Sequence, residues 1–259
     1  MSTISSALTW TLQRLSNSSP PPPNGPPLSE KPPTRTPTPL LPLQPPPLSP
    51  VTLTGYSPST STQLMSPALA EEIRLLLPPL LQLHETWSLR YSLEQHGVSL
   101  STLYDRTGTA TAGAAAGGGH VLVVRDSAGG IFGAFLNEPP KPTGRYIGTG
   151  ECFLWKSSQA PLRFWAFPYS GINEYLILAD GNYLSIGGGY VYFRPCGRGE
   201  RRLILFVVRG RNRDGKYGLW LNDTFDKGLS QPCETFGNEP LSEEGEKFEV
   251  IGVEVWKVG

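Results

Sequence analysis

Three cysteines are the residues of this chain best suited to redox chemistry or metal binding: Cys152, Cys196 and Cys233. They are widely spaced and form no C-x-x-C pair, so the sequence supports neither a structural zinc site nor a thioredoxin-type motif. Cys152 and Cys233 are redox candidates, and Cys233 stands in a polar Gln-Pro-Cys-Glu context. No cation adjoins Cys233 to lower its thiol pKa, so an inert, half-buried thiol is the competing interpretation.

Other residue types that carry out catalysis form no recognisable set. The sequence contains no G-x-x-x-x-G-K-[ST] phosphate loop, no G-x-G-x-x-G turn that opens a helix and no G-x-S-x-G nucleophile elbow. The three histidines lack metal-ligand spacing, and the acidic run of Glu243, Glu244, Glu246 and Glu249 is typical of solvated edge charges. We therefore expect no catalytic, cofactor-binding or metal-binding residue, and no enzyme.

Composition restricts the class of partner. The 259 residues carry 22 Lys and Arg against 22 Asp and Glu, and this balance disfavours binding to a nucleic-acid backbone. The longest uninterrupted apolar run is Leu203–Val208, far shorter than the ~18–20 residues of a membrane-spanning helix. We therefore expect no nucleic-acid partner and no transmembrane segment, and we expect a monomer.

The first quarter of the sequence differs sharply from the rest. Seventeen of the 27 prolines lie within residues 1–67. We expect residues 1–65 to be a disordered Pro/Ser/Thr-rich tail, which serves as a spacer or as a ligand for SH3 or WW domains. Residues 1–29 contain no acidic residue, and the apolar residues of 4–15 have near-helical spacing. This resembles a mitochondrial presequence, although Arg14 is its only cation; the cytosol is the alternative location.

Residues 66–259 show the pattern of a mainly β domain. Ser66 predicts a helix N-cap before Pro67, and Leu69, Ile73 and Leu76 predict one apolar stripe. Ser99 predicts a second cap, and Asp126–Gly130 and Asp180–Asn182 predict hairpin turns. Strands separated by turn residues indicate a mostly antiparallel fold with few helices. The predicted strands are 87–92, 120–125, 131–136, 152–155, 163–167, 175–178, 183–186, 203–208, 217–221 and 248–256.

Eight collinear blocks carry a family resemblance. They are WSLRYSLEQHGVSLSTLY (87–104), VLVVRD (121–126), IFGAFL (131–136), YIGTGECFLW (146–155), YLSIGGG (183–189), YGLWLND (217–223), LSQPCETFGNEPLS (229–242) and FEVIGVEVW (248–256). Together they resemble the TLDc domain of the oxidation resistance protein family over about residues 68–259. The proline-rich first quarter lies outside this resemblance.

The resemblance implies a two-sheet antiparallel β-sandwich flanked by a few helices. It also implies protection against oxidative damage through a partner, since several family members bind the vacuolar-type proton ATPase. The resemblance supports a mitochondrial location and adds the vacuolar membrane surface as an alternative. The alternative function is a redox sensor or sacrificial antioxidant that uses Cys152 or Cys233. Function on a sandwich usually lies on loops, so we expect the partner to contact three loops: Thr149, Gly150 and Glu151; Gly187, Gly188 and Gly189; and Asn222, Asp223 and Lys227. Glu151 has a second interpretation, as a buried carboxylate that anchors its turn.

Two segments depart from the family pattern. Residues 107–119 (TGTATAGAAAGGG) lengthen a connection that is usually short, and we expect a harmless surface loop. Residues 190–214 separate the triple glycine from the GLWL block and contain seven arginines beside the apolar LILFVV. This segment has three interpretations: an Arg-rich interaction loop, an extra edge hairpin, or a translated intron.

Overall fold

The computed structural model describes residues 48–108, 118–159, 162–188 and 216–259. Several predictions lie outside the described residues. They concern the proline-rich tail up to residue 47, the centre of the 107–119 insertion, the segment 190–214 with its predicted strand, and Gly189.

Short helices occupy the first part of the described chain: α1 (Pro67–Arg74), α2 (Pro79–Gln82), α3 (Leu93–His96) and α4 (Leu100–Gly108). The predicted cap is confirmed, because the Ser66 hydroxyl accepts the Leu69 N–H at 3.1 Å. Leu69 and Ile73 are fully buried. The prediction that Leu76 continues their stripe is wrong: α1 ends at Arg74, and Leu76 lies in the following turn, 45% exposed.

Eleven strands in the described ranges pair into one continuous, mainly antiparallel sheet that folds into two halves. This confirms the predicted fold class. The only parallel pair among these strands joins β1 to β2. The strands are β1 (Thr52–Thr54), β2 (Thr86–Ser92), β3 (Gly119–Asp126), β4 (Ile131–Leu136), β5 (Phe153–Gln159), β6 (Leu162–Pro168), β7 (Ile177–Ala179), β8 (Tyr183–Ile186), β9 (Leu219–Asn222), β10 (Lys227–Leu229) and β11 (Lys247–Val258).

The long strand β11 joins the two halves of the sheet. Its first residues, Lys247–Glu249, pair with β10 in the half formed by β7–β10. From Val250 onward it pairs with β3, and its last five residues also pair with β2. The register against β3 shifts between Val250 and Gly252, which is a β-bulge at Ile251. A single strand thus belongs to both layers of the sandwich.

Two apolar cores lie on opposite faces of the β2–β6 half. The first fills the space between the halves, with Leu122 and Leu154 on one side and Leu184 and Leu221 on the other. The second lies between the outer face and α1, and it buries Trp87, Trp155 and Trp256. Both faces of this half are therefore buried, which explains the continuous apolar run of β3.

The folded part of the chain begins earlier than the predicted boundary at Ser66. Residues 48–65, here called the N-terminal strap, include β1 and bury Val51, Leu64 and Met65. Side-chain carboxylates accept its backbone N–H groups: Glu71 accepts from Val51 at 2.6 Å, and Glu94 accepts from the N–H groups of residues 61 and 62. The prediction that 48–65 belong to a disordered tail is wrong, because these distant carboxylates replace the apolar side chains that the strap lacks.

Glu254 of β11 is the principal attachment point of the strap. The Glu254 side chain is 1% exposed and accepts the N–H groups of Leu64 (3.1 Å) and Met65 (3.2 Å). It also accepts the Tyr56 hydroxyl (2.8 Å) and the Trp256 indole N–H (3.0 Å). Burial raises the pKa of Glu254 above its ordinary value, although these donors favour the carboxylate. The Glu-x-Trp motif therefore holds the strap on the sheet.

The ends of the two insertions are now defined. Thr107 and Gly108 belong to α4 and Gly119 begins β3, so the first insertion is shorter than the predicted 107–119. The second leaves after β8 and returns before β9, and these strands pair directly, Ile186 opposite Leu219. A Cβ on Gly187 would lie 3.2 Å from the Gly218 nitrogen. The described residues on either side of the second insertion therefore lie close together.

Candidate functional site

The turn before β5 presents the first predicted contact loop. Asn137, which follows β4, accepts the Thr149 N–H at 3.1 Å and donates to the Thr149 hydroxyl at 2.8 Å. The Cys152 N–H donates to the Thr149 carbonyl at 3.1 Å. Thr149, Gly150 and Glu151 are all exposed. The interpretation of Glu151 as a buried anchor is wrong, because Asn137 anchors the turn and leaves the Glu151 carboxylate in solvent.

Gly187 and Gly188, the described residues of the second predicted loop, are buried. A Cβ on Gly188 would lie 2.3 Å from Tyr175 Cβ, and a Cβ on Gly187 would lie 2.8 Å from the Cys233 sulfur. Gly187 also has φ +78°, a conformation that favours glycine. This close packing disfavours the prediction that Gly187 and Gly188 contact a partner. They are glycines because other segments pack directly on their backbone.

The C-x-T-F-x-N sequence, residues 233–238, contains side chains that pack on these glycines. The Thr235 hydroxyl donates to Asn173 Oδ1 at 2.8 Å and lies 3.3 Å from the Gly188 nitrogen. The Asn238 side chain accepts the Cys233 N–H at 3.3 Å and donates to two backbone carbonyls. Thr235 and Asn238 are both buried. These polar side chains hold the loop 231–241 against the end of the sheet.

These segments meet at one end of the sandwich. A Cβ on Gly150 would lie 2.8 Å from the Tyr169 ring. The neighbouring Ser170 donates its N–H to the Thr235 carbonyl at 2.9 Å and its hydroxyl to the Glu234 carbonyl at 2.6 Å. We call this region, formed by residues 147–152, 168–176, 187–188 and 231–238, the Thr149 end. Its backbone is fixed by hydrogen bonds, while Thr149–Glu151 remain exposed.

The third predicted loop lies elsewhere. Asn222–Lys227 connects β9 to β10 at the end of β9 opposite Gly218. Asn222 Oδ1 accepts the N–H groups of Asp226 and Lys227 at 3.1 Å each, and Phe225, at φ +49°, is buried. Asp223 and Lys227 are exposed. The structure therefore does not join the three predicted loops into one surface.

Both described cysteines are free and buried. Burial raises the pKa of the Cys152 thiol to about 11 and also raises that of Cys233. Each sulfur lies 3.1 Å from an asparagine oxygen, Asn137 for Cys152 and Asn238 for Cys233. Reactive cysteines are partly exposed and have a lowered pKa, so this arrangement disfavours a redox role for either thiol and supports the inert interpretation.

One residue of the acidic run, Glu244, makes hydrogen bonds that fix the local structure. Glu244 is exposed, yet Oε1 accepts the Ser127 N–H at 2.8 Å and the Ser127 hydroxyl at 2.7 Å. These hydrogen bonds lower the pKa of Glu244. Within the described ranges, no three His, Cys, Asp or Glu residues are arranged to hold a metal ion. No described helix has the length and apolar character needed to cross a membrane.

Comparison with known proteins identifies the family. The TLDc domain model matches residues 58–259. The chain belongs to the TLDc-domain family of oxidation resistance proteins. It is 45% identical over 215 residues to Oxidation resistance protein 1 of Yarrowia lipolytica, covering 83% of this chain and 82% of that protein. It is 38% identical over 240 residues to Oxidation resistance protein 1 of Saccharomyces cerevisiae, covering 82% of this chain and 79% of that protein.

Family membership agrees with the extent of the strap in this TLDc protein. The match begins at residue 58, inside the strap and before the predicted boundary at Ser66. The strap therefore lies partly within the TLDc domain, as its hydrogen bonds to Glu254 indicate. Membership also supports a role in protection against oxidative stress. Asn137 and Glu254 are the residues that sequence reasoning missed, although Glu254 belongs to the recognised Glu-x-Trp motif.

Proposed function

We propose that this TLDc protein protects against oxidative damage as a non-catalytic adaptor that binds and modulates the vacuolar-type proton ATPase. The observation that carries the proposal is the Thr149 end. There, three consecutive exposed residues, Thr149–Glu151, are held in one shape by Asn137. A preorganised polar turn loses little entropy when it binds a protein, which favours recognition.

The partner class comes from the family resemblance, and the buried thiols support binding over redox chemistry. Cys152 and Cys233 have raised pKa values, which disfavours the thiolate that reacts with peroxide. A sacrificial role would require an accessible sulfur, and both are buried. Protection through a protein partner makes no such demand on either residue.

A charge reversal on the exposed turn tests the proposal. The full chain with Glu151→Lys would be compared with wild type as bait for peripheral proton-ATPase subunits. The matched control is Glu72→Lys, which makes the same change at an exposed position of α1. We expect Glu151→Lys to lower recovery about tenfold, as removal of ~1.4 kcal/mol of binding free energy would, and the control to leave it unchanged. No recovery with wild type, or equal recovery with both variants, would contradict the proposed surface.

We also propose that the chain is imported into mitochondria. The support is the acid-free composition of residues 1–29 together with their apolar spacing. A fusion of the full chain to a fluorescent protein would be compared with one that lacks residues 1–29. Mitochondrial fluorescence that depends on these residues would support import. Cytosolic or vacuolar-surface fluorescence from both fusions would contradict it.

A further inference from the structure

Strand β6 forms an open edge of the sheet. It is the last strand in the order β6-β5-β4-β3-β11, and among the described residues no strand pairs with its outer side. Its seven residues pair with β5 in one uninterrupted register, from Phe153 opposite Pro168 to Gln159 opposite Leu162. Such an edge presents unpaired backbone donors and acceptors to any other extended chain.

The other described edges are shorter or capped. Strand β7 has three residues, all buried, and Ile147 bridges to Ile177 through two backbone hydrogen bonds of 2.8 and 3.0 Å. Strand β1 also has only three residues. Strand β6 has no bulge, its only charged residue is Arg163, and its proline is its last residue. Proteins usually protect a long edge with charges, bulges or central prolines, so this edge lacks the usual defences against pairing.

Three of the seven side chains of β6 are aromatic. Phe164 stacks on Trp155 at 5.8 Å between ring centroids, which fixes one face of the strand. On the other face Trp165 is 40% exposed, and the Lys156 ammonium lies 5.7 Å from its ring centroid. Arg163 is exposed and Phe167 is half-buried on the same face as Trp165, since alternate residues share a face. The edge therefore combines open backbone with an exposed aromatic side chain.

We propose that β6 pairs with β6 of a second copy of this chain, antiparallel and with the two-fold axis at Trp165. Each Trp165 then lies opposite its symmetry mate, and each Arg163 lies opposite Phe167 of the other copy. A cation beside an aromatic ring is favourable, as is an aromatic pair across strands. A register centred on Arg163 would instead place two like charges together. In this register the charge and the aromatic rings of β6 thus complement those of the second copy.

This dimer goes beyond the proposed adaptor function, and it differs from the monomer that the sequence led us to expect. An isologous two-fold contact closes after two copies, so it forms a dimer and no fibre. Its contact area is that of a single strand pair, which is small for a permanent dimer. We therefore expect a weak, concentration-dependent dimer. It would display two Thr149 ends on one continuous sheet.

A cysteine at the two-fold axis gives the sharpest test. In the full chain with Cys196→Ser, Trp165→Cys would place two thiols directly opposite each other, where Cα atoms of paired strands lie ~4.5–5.5 Å apart. That distance permits a disulfide. In the same register, the two Arg163 positions are four residues apart along the strands, about 13 Å, which is too far. We expect mild oxidation to cross-link Trp165→Cys and not the control Arg163→Cys. Equal cross-linking of both, or of neither, would overturn the register.

Sedimentation equilibrium of the otherwise unchanged chain tests the dimer itself. We expect the average mass of wild type to rise with concentration and that of Trp165→Lys to stay monomeric. The matched control is Leu80→Lys, which places the same charge at a 78% exposed apolar residue outside β6 and outside the Thr149 end, and it should behave like wild type. A wild type that stays monomeric throughout would overturn the proposal. The proposal is also overturned if the chain is monomeric and Trp165→Lys abolishes proton-ATPase recovery, because β6 would then pair with a strand of that partner.

Discussion

Replacement of Glu254 by alanine is expected to weaken the whole domain through the strap. The change removes the acceptor of four donors: the N–H groups of Leu64 and Met65, the Trp256 indole and the Tyr56 hydroxyl. The hydroxyl can turn to another acceptor, but the other three donors are fixed. Because the carboxylate is 1% exposed, water reaches these donors poorly after the change.

The expected loss in the free energy of unfolding follows from the number of donors left without an acceptor. Each buried donor without a partner costs about 1–3 kcal/mol, and water that enters the vacated space recovers part of that. We expect the free energy of unfolding to fall by about 3–5 kcal/mol, the usual loss when one side of a buried charged network is removed. For a domain of this size the melting temperature should fall by about 10–15 °C.

Urea unfolding followed by tryptophan fluorescence measures this loss, because Trp256 contacts the altered carboxylate. The control is Glu72→Ala, an exposed glutamate on α1. Should Glu254→Ala not fold, Tyr56→Phe removes only one hydrogen bond to the carboxylate and should cost about 1.5–3 kcal/mol. A loss from both variants no larger than that of the control would refute the role assigned to Glu254.

The pH dependence has a definite sign. Burial raises the folded-state pKa of Glu254, so the folded state holds this proton more tightly than the unfolded state. The stability that this provides is fully present below the unfolded pKa of about 4.3. It is lost as the pH rises through the folded pKa. Alanine does not titrate, so the stability difference between wild type and Glu254→Ala should shrink as the pH rises from acid towards neutral.

Two further predictions concern the second insertion and the thiols. Deletion of residues 190–214 should leave the melting temperature within a few degrees of wild type in a thermal scan, because the strands on either side of the insertion, β8 and β9, already pair directly; a deleted chain that fails to fold would contradict this. In the Cys196→Ser chain, Cys152 and Cys233 should react with a thiol reagent at neutral pH only as fast as the domain opens, because both are buried and protonated. Labelling within seconds would restore the redox hypothesis.

Much of the fold was predictable from local patterns. Ile131–Leu136 and Tyr183–Ile186 have the predicted bounds, since apolar runs between turn residues define strands well. The Asp126–Gly130 turn also forms as predicted, with Asp126 accepting the Gly130 N–H at 2.6 Å. The strand Thr52–Thr54 was missed because its support comes from Glu71 and β2, which are distant in the sequence. Local residue propensities do not predict such long-range contacts.

The candidate site was less predictable, and the glycines show why. Glycine at positions 187 and 188 signals close approach of another segment, which fits a packed core as well as a contact surface. Only the positions of Tyr175 and Cys233 distinguish the two. The exposure of Glu151 likewise depends on Asn137, twelve residues earlier, which anchors the turn in its place. Nothing in the spacing of either motif marks these partners.

Strand β11 determines when the domain can fold during synthesis. It pairs with β2, β3 and β10 and supplies the carboxylate that fixes the strap, yet the ribosome makes it after every other described element. Until its twelve residues emerge, the sandwich lacks the strand that belongs to both layers. We expect the domain to fold only after β11 is complete, so that the growing chain exposes apolar surface and unpaired strand edges until then. A nascent chain in that state would also be suitable for threading through a translocon.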